Sequence, residues 1–169
     1  MAKAPKPYDF SPYLVNPSKY KGQGPIMIRS SWERKFAELC DKSPMVLEWA
    51  SEPVTIPYRD PLTGHQKVYV PDFLIAVRRQ TANKAGKVET ILIEIKPKHE
   101  TLIEHAKNSR DAERLLKNQG KWKAAEWWCQ RRGISFRIMT EDQLFGKVKS
   151  TSTIKENAKK IRHKISKGS

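Results

Sequence analysis

Short β-branched runs alternate along this chain with segments of helical apolar spacing, and the β-type runs are the sharper signal. Val70-Pro71-Asp72-Phe73-Leu74-Ile75-Ala76-Val77 and Ile91-Leu92-Ile93-Glu94-Ile95-Lys96 both read as strands bounded by turn residues. The link between them, Arg78 to Lys87, carries Thr81, Asn83 and Gly86, which predicts an antiparallel hairpin. Side chains alternate faces along a strand, so Glu94 and Lys96 share one face while Ile93 and Ile95 point to the other. Closing the hairpin brings Asp72 near the end of Glu94's strand. Two carboxylates and an ammonium then converge at one corner of a sheet.

The remaining elements follow from the same patterning. A helix is predicted to begin at Ser30 or Ser31, with Trp32, Phe36, Leu39 and Cys40 forming one apolar stripe. Glu33 lies on the border of that stripe. Ser30-Ser31-Trp32-Glu33 fits a capping box, and Glu33 is equally placed to lean toward Asp72 as a third acid. Leu47 to Tyr58 is predicted extended, with Pro53 and Pro57 arguing for an edge or irregular strand. Asp60 to Gly64 is a turn, and Lys67-Val68-Tyr69-Val70 leads from it into the Pro-Asp strand. Residues 100–132 are predicted helical, with Trp122, Ala125, Trp128 and Cys129 as a stripe and Gly133 as its stop. Trp122 and Trp127 are read as core or partner contacts, with base stacking as the alternative. Ile134 to Met139 alternates as a last strand, and Thr140-Glu141-Asp142-Gln143 is a second capping box. A strand that follows a helical crossover can lie parallel to its neighbour, so the order predicts a mixed sheet covered by helices.

The two ends differ from this middle. Residues 1–27 are expected to form an arm, because Pro5, Pro7, Pro12, Pro17 and Pro25 forbid a continuous helix. Tyr8, Phe10, Tyr13 and Tyr20 fit that arm for docking, on the domain or on a partner. Residues 28–145 carry the domain. Residues 146–169 hold eight Lys and Arg against Glu156 alone and read as a basic tail.

Charge narrows the partners. Thirty-three Lys and Arg against 18 acids give a net charge of +15, which favours nucleic acid, since basic side chains release counterions when they neutralise phosphates. Lys98, Lys147, Lys149, Lys155, Lys159, Lys160, Arg162 and Lys164 are the expected nucleic-acid contacts. No 18-residue apolar run and no signal-like N-terminal stretch occur, so a soluble protein without a membrane partner is expected. Cys40 and Cys129 sit in apolar helical patterns and are read as packing thiols. The four histidines lack metal-ligand spacing.

Asp72, followed by Glu94-x-Lys96 on the next strand, suits a metal-dependent phosphodiesterase. Magnesium takes one or two carboxylates plus water and substrate phosphate, and a nearby lysine can orient water or offset phosphate charge. A strand-start turn and a surface ion pair are the plain alternative for the motif taken alone. The order around it adds specificity: helix, three strands, helix, strand, with an acid on the first helix. With Pro71-Asp72, Glu94-Ile95-Lys96 and Glu33 in that order, residues 28–145 resemble the PD-(D/E)XK nuclease superfamily. Ser31-Trp32-Glu33, Val70-Pro71-Asp72-Phe73, Ile93-Glu94-Ile95-Lys96-Pro97 and the Trp-rich helix ending at Gly133 are similar to TnsA-like endonucleases. The whole chain also resembles the head completion nucleases of T4-like tailed bacteriophages.

The resemblance implies an α/β fold with a restriction-endonuclease-like mixed sheet. It further implies a magnesium-dependent DNA endonuclease, with manganese as a substitute ion, acting late in head assembly. Carried over, Asp72 and Glu94 are metal ligands aided by the Ile95 carbonyl. Lys96 positions water or stabilises charge, and Glu33 is the helix acid. The expected places are the virion head or neck and the host cytoplasm, with DNA and portal or neck proteins as partners. A DNA-gripping structural component and a transposon endonuclease subunit remain the alternatives.

Overall fold

The computed structural model describes residues 6–80 and 86–145. Its centre is a four-stranded sheet in the order β3 (Val46–Ser51), β6 (Phe73–Arg78), β7 (Val88–Ile95), β8 (Ser135–Met139). The first two pairings are antiparallel and the last is parallel, which gives the expected mixed sheet. The parallel return is made through α2 (Ser109–Gln130), the crossover helix that such a connection requires.

Alternation along the strands divides the interior into two layers. Phe73, Ile75, Ile91, Ile93 and Ile95 face α1 (Ser31–Lys42), where they meet Phe36, Ala37 and Cys40. Leu74 and Leu92 face the other way, against Trp122, Ala125 and Cys129 of α2. β7 is therefore covered on both faces, which explains its nearly unbroken apolar run and makes the buried Glu94 within it conspicuous. Both cysteines are buried and free.

Three local expectations change. Leu47–Tyr58 is not one extended piece. It breaks at Glu52, whose φ of 47° turns the chain out of the sheet. The segment beyond the break, β4 (Ile56–Arg59), pairs with β5 (Gln66–Tyr69) as a separate hairpin, so Lys67–Tyr69 does not run on into the central sheet. Pro71, without an N–H to donate, separates β5 from β6. The helix predicted over 100–132 begins only at Ser109, where the Asn108 side chain accepts from the Asp111 N–H at 2.9 Å. Two short 3₁₀ turns, Lys98–Glu100 and Ile103–His105, occupy the stretch before it. Trp122 is 6% exposed and so packs in the core and is closed to bases, whereas Trp127 is exposed.

Other local signals hold. Gly133 adopts φ 65°, and the Ile134 N–H donates to the Cys129 carbonyl at 3.0 Å, ending α2 in a Schellman turn. Thr140 and Gln143 form the capping box of α3 (Glu141–Leu144). Among the described residues no helix is long and apolar enough to cross a membrane.

The N-terminal segment lies along the domain. β1 (Tyr8–Asp9) pairs with β2 (Met27–Ile28), Phe10 and Ile26 enter the α1 layer, and the Tyr20 ring meets Trp49 at 4.8 Å. Asp41, 1% exposed near the end of α1, fixes it: its carboxylate accepts from the Val15 and Asn16 N–H groups at 2.7 and 2.8 Å. Lys19 adds an ammonium across the Asp41 and Ser43 carbonyls, at the negative end of the helix. Asp41→Ala would orphan two N–H groups bonded to a charge, a loss of about 3 kcal/mol. Urea denaturation should show that drop, with faster proteolysis between residues 10 and 20. Asp41→Asn, which keeps one acceptor, should lose less.

Candidate active site

The register of β6 and β7 builds the site. Phe73 pairs with Ile93, so the antiparallel ladder carried one residue further sets Asp72 across from Glu94 on the α2 side of the sheet. Asp72 is held twice: its Oδ2 accepts from the Ile95 N–H at 2.7 Å, and its carbonyl accepts from the Glu52 N–H at 2.8 Å. The turn at Glu52 thus ties the end of β3 to the acid.

Glu94 is 5% exposed, and its Oε2 accepts a 2.7 Å hydrogen bond from the Tyr69 hydroxyl. Its Oε1 faces the Lys96 ammonium at 3.7 Å. Burial, the Glu94 carboxylate and, more weakly, Glu33 push the Asp72 carboxyl well above the usual carboxylate range, against the Ile95 N–H and Lys96. Burial also raises Glu94, while the Tyr69 hydroxyl, Lys96, Lys121 and Asp72 pull it down. The two acids share a partly desolvated corner and favour one negative charge over two. Their ionisation is costly without a cation.

Glu33 sits in the first turn of α1, where it takes part in the cap and lies within electrostatic reach of Asp72. The Ser30 Oγ accepts from the Glu33 N–H at 3.1 Å, as in a capping box. The return bond lands one residue earlier than a box requires, from the Arg29 N–H to Glu33 Oε2 at 2.7 Å. Its carboxylate still acts on Asp72 electrostatically. Ile95 lies at the centre through its backbone. Lys98 does not stand free: its ammonium pairs with Asp142 at 2.9 Å and its N–H donates to Glu141. Lys147, Lys149, Lys155, Lys159, Lys160, Arg162 and Lys164 lie outside the described residues.

Two residues of the site were not foreseen. Tyr69, 5% exposed, arrives on the β4–β5 hairpin, and burial with Glu94 raises its hydroxyl pKa, keeping it a donor. Lys121 arrives from α2, with its ammonium 5.9 Å from the centre of the Tyr69 ring. The sequence holds one trace of this arrangement, Gly120 within a helix, where glycine costs roughly 1 kcal/mol against alanine. A Cβ there would stand 3.0 Å from the Pro61 Cδ, so glycine lets α2 press onto the hairpin. Tyr69→Phe would leave Glu94 Oε2 without its donor and let its pKa rise further. Activity should fall about 10–100-fold, the usual cost of losing a partner that orients a ligand. Steady-state cleavage rates beside a thermal melt would separate this from unfolding.

Among the described residues, no group of three His, Cys, Asp or Glu side chains is arranged to hold a metal. The centre offers two carboxylates, with backbone oxygen and solvent for the remaining positions. That set fits a hard divalent cation that keeps water and takes substrate phosphate. It does not suit zinc, which favours nitrogen and sulfur ligands.

The family model described as TnsA-like endonuclease N terminal matches residues 43–141, from the start of β3 to α3. The Head completion nuclease of Enterobacteria phage T4 is 36% identical over 140 residues, covering 76% of this chain and 88% of that protein. The match to the family model spans more than half of the chain and every strand of the central sheet: the chain belongs to the TnsA-like endonuclease family.

Proposed function

We propose that the protein is a metal-dependent DNA endonuclease that acts in phage head completion, after DNA packaging. The observation that carries this reading is the pairing of half-buried Asp72 with buried Glu94, with the Lys96 ammonium 3.7 Å from Glu94. Its membership of an endonuclease family and its similarity to the T4 Head completion nuclease support the same reading.

Asp72 and Glu94 would hold the ion, with the Ile95 carbonyl as a further donor. The Ile95 N–H points toward Asp72, and in a strand a residue's carbonyl leaves on the same side as its N–H. Magnesium is the ion this oxygen set suits, and manganese is the expected substitute. When bound, the ion supplies Lewis acidity and charge neutralisation for phosphodiester hydrolysis. Lys96, 30% exposed and oriented by Glu94, is placed to hold a water in line or to offset charge on the phosphate. Tyr69 fixes one oxygen of Glu94 and so sets which way the other faces. Glu33 stands by as the helix acid. The basic residues beyond α3 would grip the phosphate backbone, and the partners would be DNA with portal or neck proteins. The places of action would be the host cytoplasm during assembly and the virion head or neck afterwards.

A second reading has the fold gripping DNA at the head–neck junction with idle acids. Filled heads lacking this protein, supplemented with purified protein, separate the two. Under the catalytic reading wild type restores infectivity and Glu94→Ala does not. Full restoration by Glu94→Ala would leave only the structural role.

A further inference from the structure

We propose that the Lys117–Lys121 edge of α2, together with Lys67 of β5, is a phosphate-backbone seat that holds a DNA strand beside the Asp72–Glu94 pair. The identity of the polyanion as DNA rests on the nuclease reading; the seat itself does not.

Lys117 and Lys121 are four residues apart and therefore neighbours on one edge of the helix. Both are half-buried, at the border of the stripe formed by Leu115, Trp122, Ala125 and Cys129. Contact at Gly120 presses this stretch onto Pro61, which sets the edge beside the hairpin that carries Lys67. Lys121 leans over the Tyr69 ring, and the Tyr69 hydroxyl bonds Glu94, so one side chain separates its ammonium from the carboxylate. Burial lowers the Lys121 pKa, and the charges of Lys96, Lys117 and Lys67 lower it further, with only Glu94 opposing them.

Such a cluster works against the free protein. Like charges at this spacing repel by a few tenths of a kcal/mol, and solvated lysines ordinarily splay apart. Here packing holds them together. Lys67 is the one neutralised member, through Asp60 at 2.7 Å. Among the described residues, Lys117 and Lys121 form no ion pair with an acid, unlike Lys98 on the opposite side of the centre. A row of phosphates meets the requirement, since it offers several negative charges along one line.

The test is fluorescence anisotropy of a labelled duplex with the full chain in EDTA, read across a salt series. Lys121→Met and Lys117→Met should each weaken binding about 5–10-fold near 100 mM salt and flatten the salt slope by about one. Lys121→Arg should bind within about twofold of wild type, as should Lys42→Met at the far end of α1. If Lys121→Met melts early, Lys117→Met, which leaves Tyr69 untouched, carries the test. With magnesium, Lys117→Met, which touches neither acid nor Tyr69, should raise KM about tenfold while kcat stays within about twofold. Unchanged affinity and slope in a folded Lys117→Met, Lys121→Met double variant would overturn the proposal. A fall in kcat at constant KM in Lys117→Met would also overturn it. Lysine-dependent, salt-sensitive binding by a wild-type protein that never cuts would support the seat and remove the nuclease reading alone.

Discussion

Asp72→Asn is expected to lower DNA cleavage about 10³-fold while making the metal-free protein more stable at neutral pH. The two effects share one cause. Asp72 is held half-buried near Glu94, and desolvation with the Glu94 charge raises its carboxyl well above the ordinary range. A group raised on folding contributes its full stability below its unfolded pKa of about 4 and loses that contribution as pH climbs through the folded value. Wild-type stability without metal should therefore decline above about pH 4 relative to the variant, because the amide carries no charge to bury. Asparagine keeps an oxygen for the Ile95 N–H, so the fold around it is retained. Melting curves should show the difference as roughly 3 °C for each kcal/mol relieved. Added divalent ion should reverse the order by stabilising wild type alone, since only a ligand that binds the folded state raises its melting point. An Asp72→Asn protein that melts below metal-free wild type at pH 8 would contradict the burial argument.

Lys96→Met should reduce kcat about 10²–10³-fold with little change in KM, the pattern of an interaction made in the transition state. A second signature marks it as a group facing Glu94. Lys96 lowers the Glu94 pKa. Without it, the acid limb of the pH–rate profile should move to higher pH. Lys96→Arg should not restore the rate, because a planar guanidinium cannot occupy the place of a compact ammonium 3.7 Å from Glu94 Oε1. Pre-steady-state cleavage across a pH series measures both. A uniform rise in KM instead would make Lys96 a DNA-binding residue only.

How much of this was legible in the sequence depends on how local each signal is. The Asp72 and Glu94 strands could be read because period-two alternation and their closeness along the chain predict a hairpin from nearby residues alone. The cap at Ser30, the box at Thr140 and the stop at Gly133 are likewise one-turn signals. Tyr69 was missed because its strand looked continuous with β6. The turn at Glu52, signalled in the sequence only by the irregularity that Pro53 implies, sends β4 and β5 out of the sheet. Lys121 lay among many lysines, and nothing in its spacing distinguishes it from Lys123 on the exposed face. What distinguishes it is the approach of α2 to Pro61, a contact between residues some 60 positions apart. Helix content before Asn108 was overread because charged residues with scattered apolar positions also suit two 3₁₀ turns.

The central claim is that Asp72, Glu94 and Lys96 form a metal-dependent DNA-cleaving centre. The measurement that tests it most directly is nicking of covalently closed circular DNA by purified wild type as magnesium is titrated, with Glu94→Ala prepared in parallel. The account predicts incision that rises with magnesium, stops in EDTA and is lost in Glu94→Ala. Incision that persists in EDTA, or equal incision by Glu94→Ala, would contradict it.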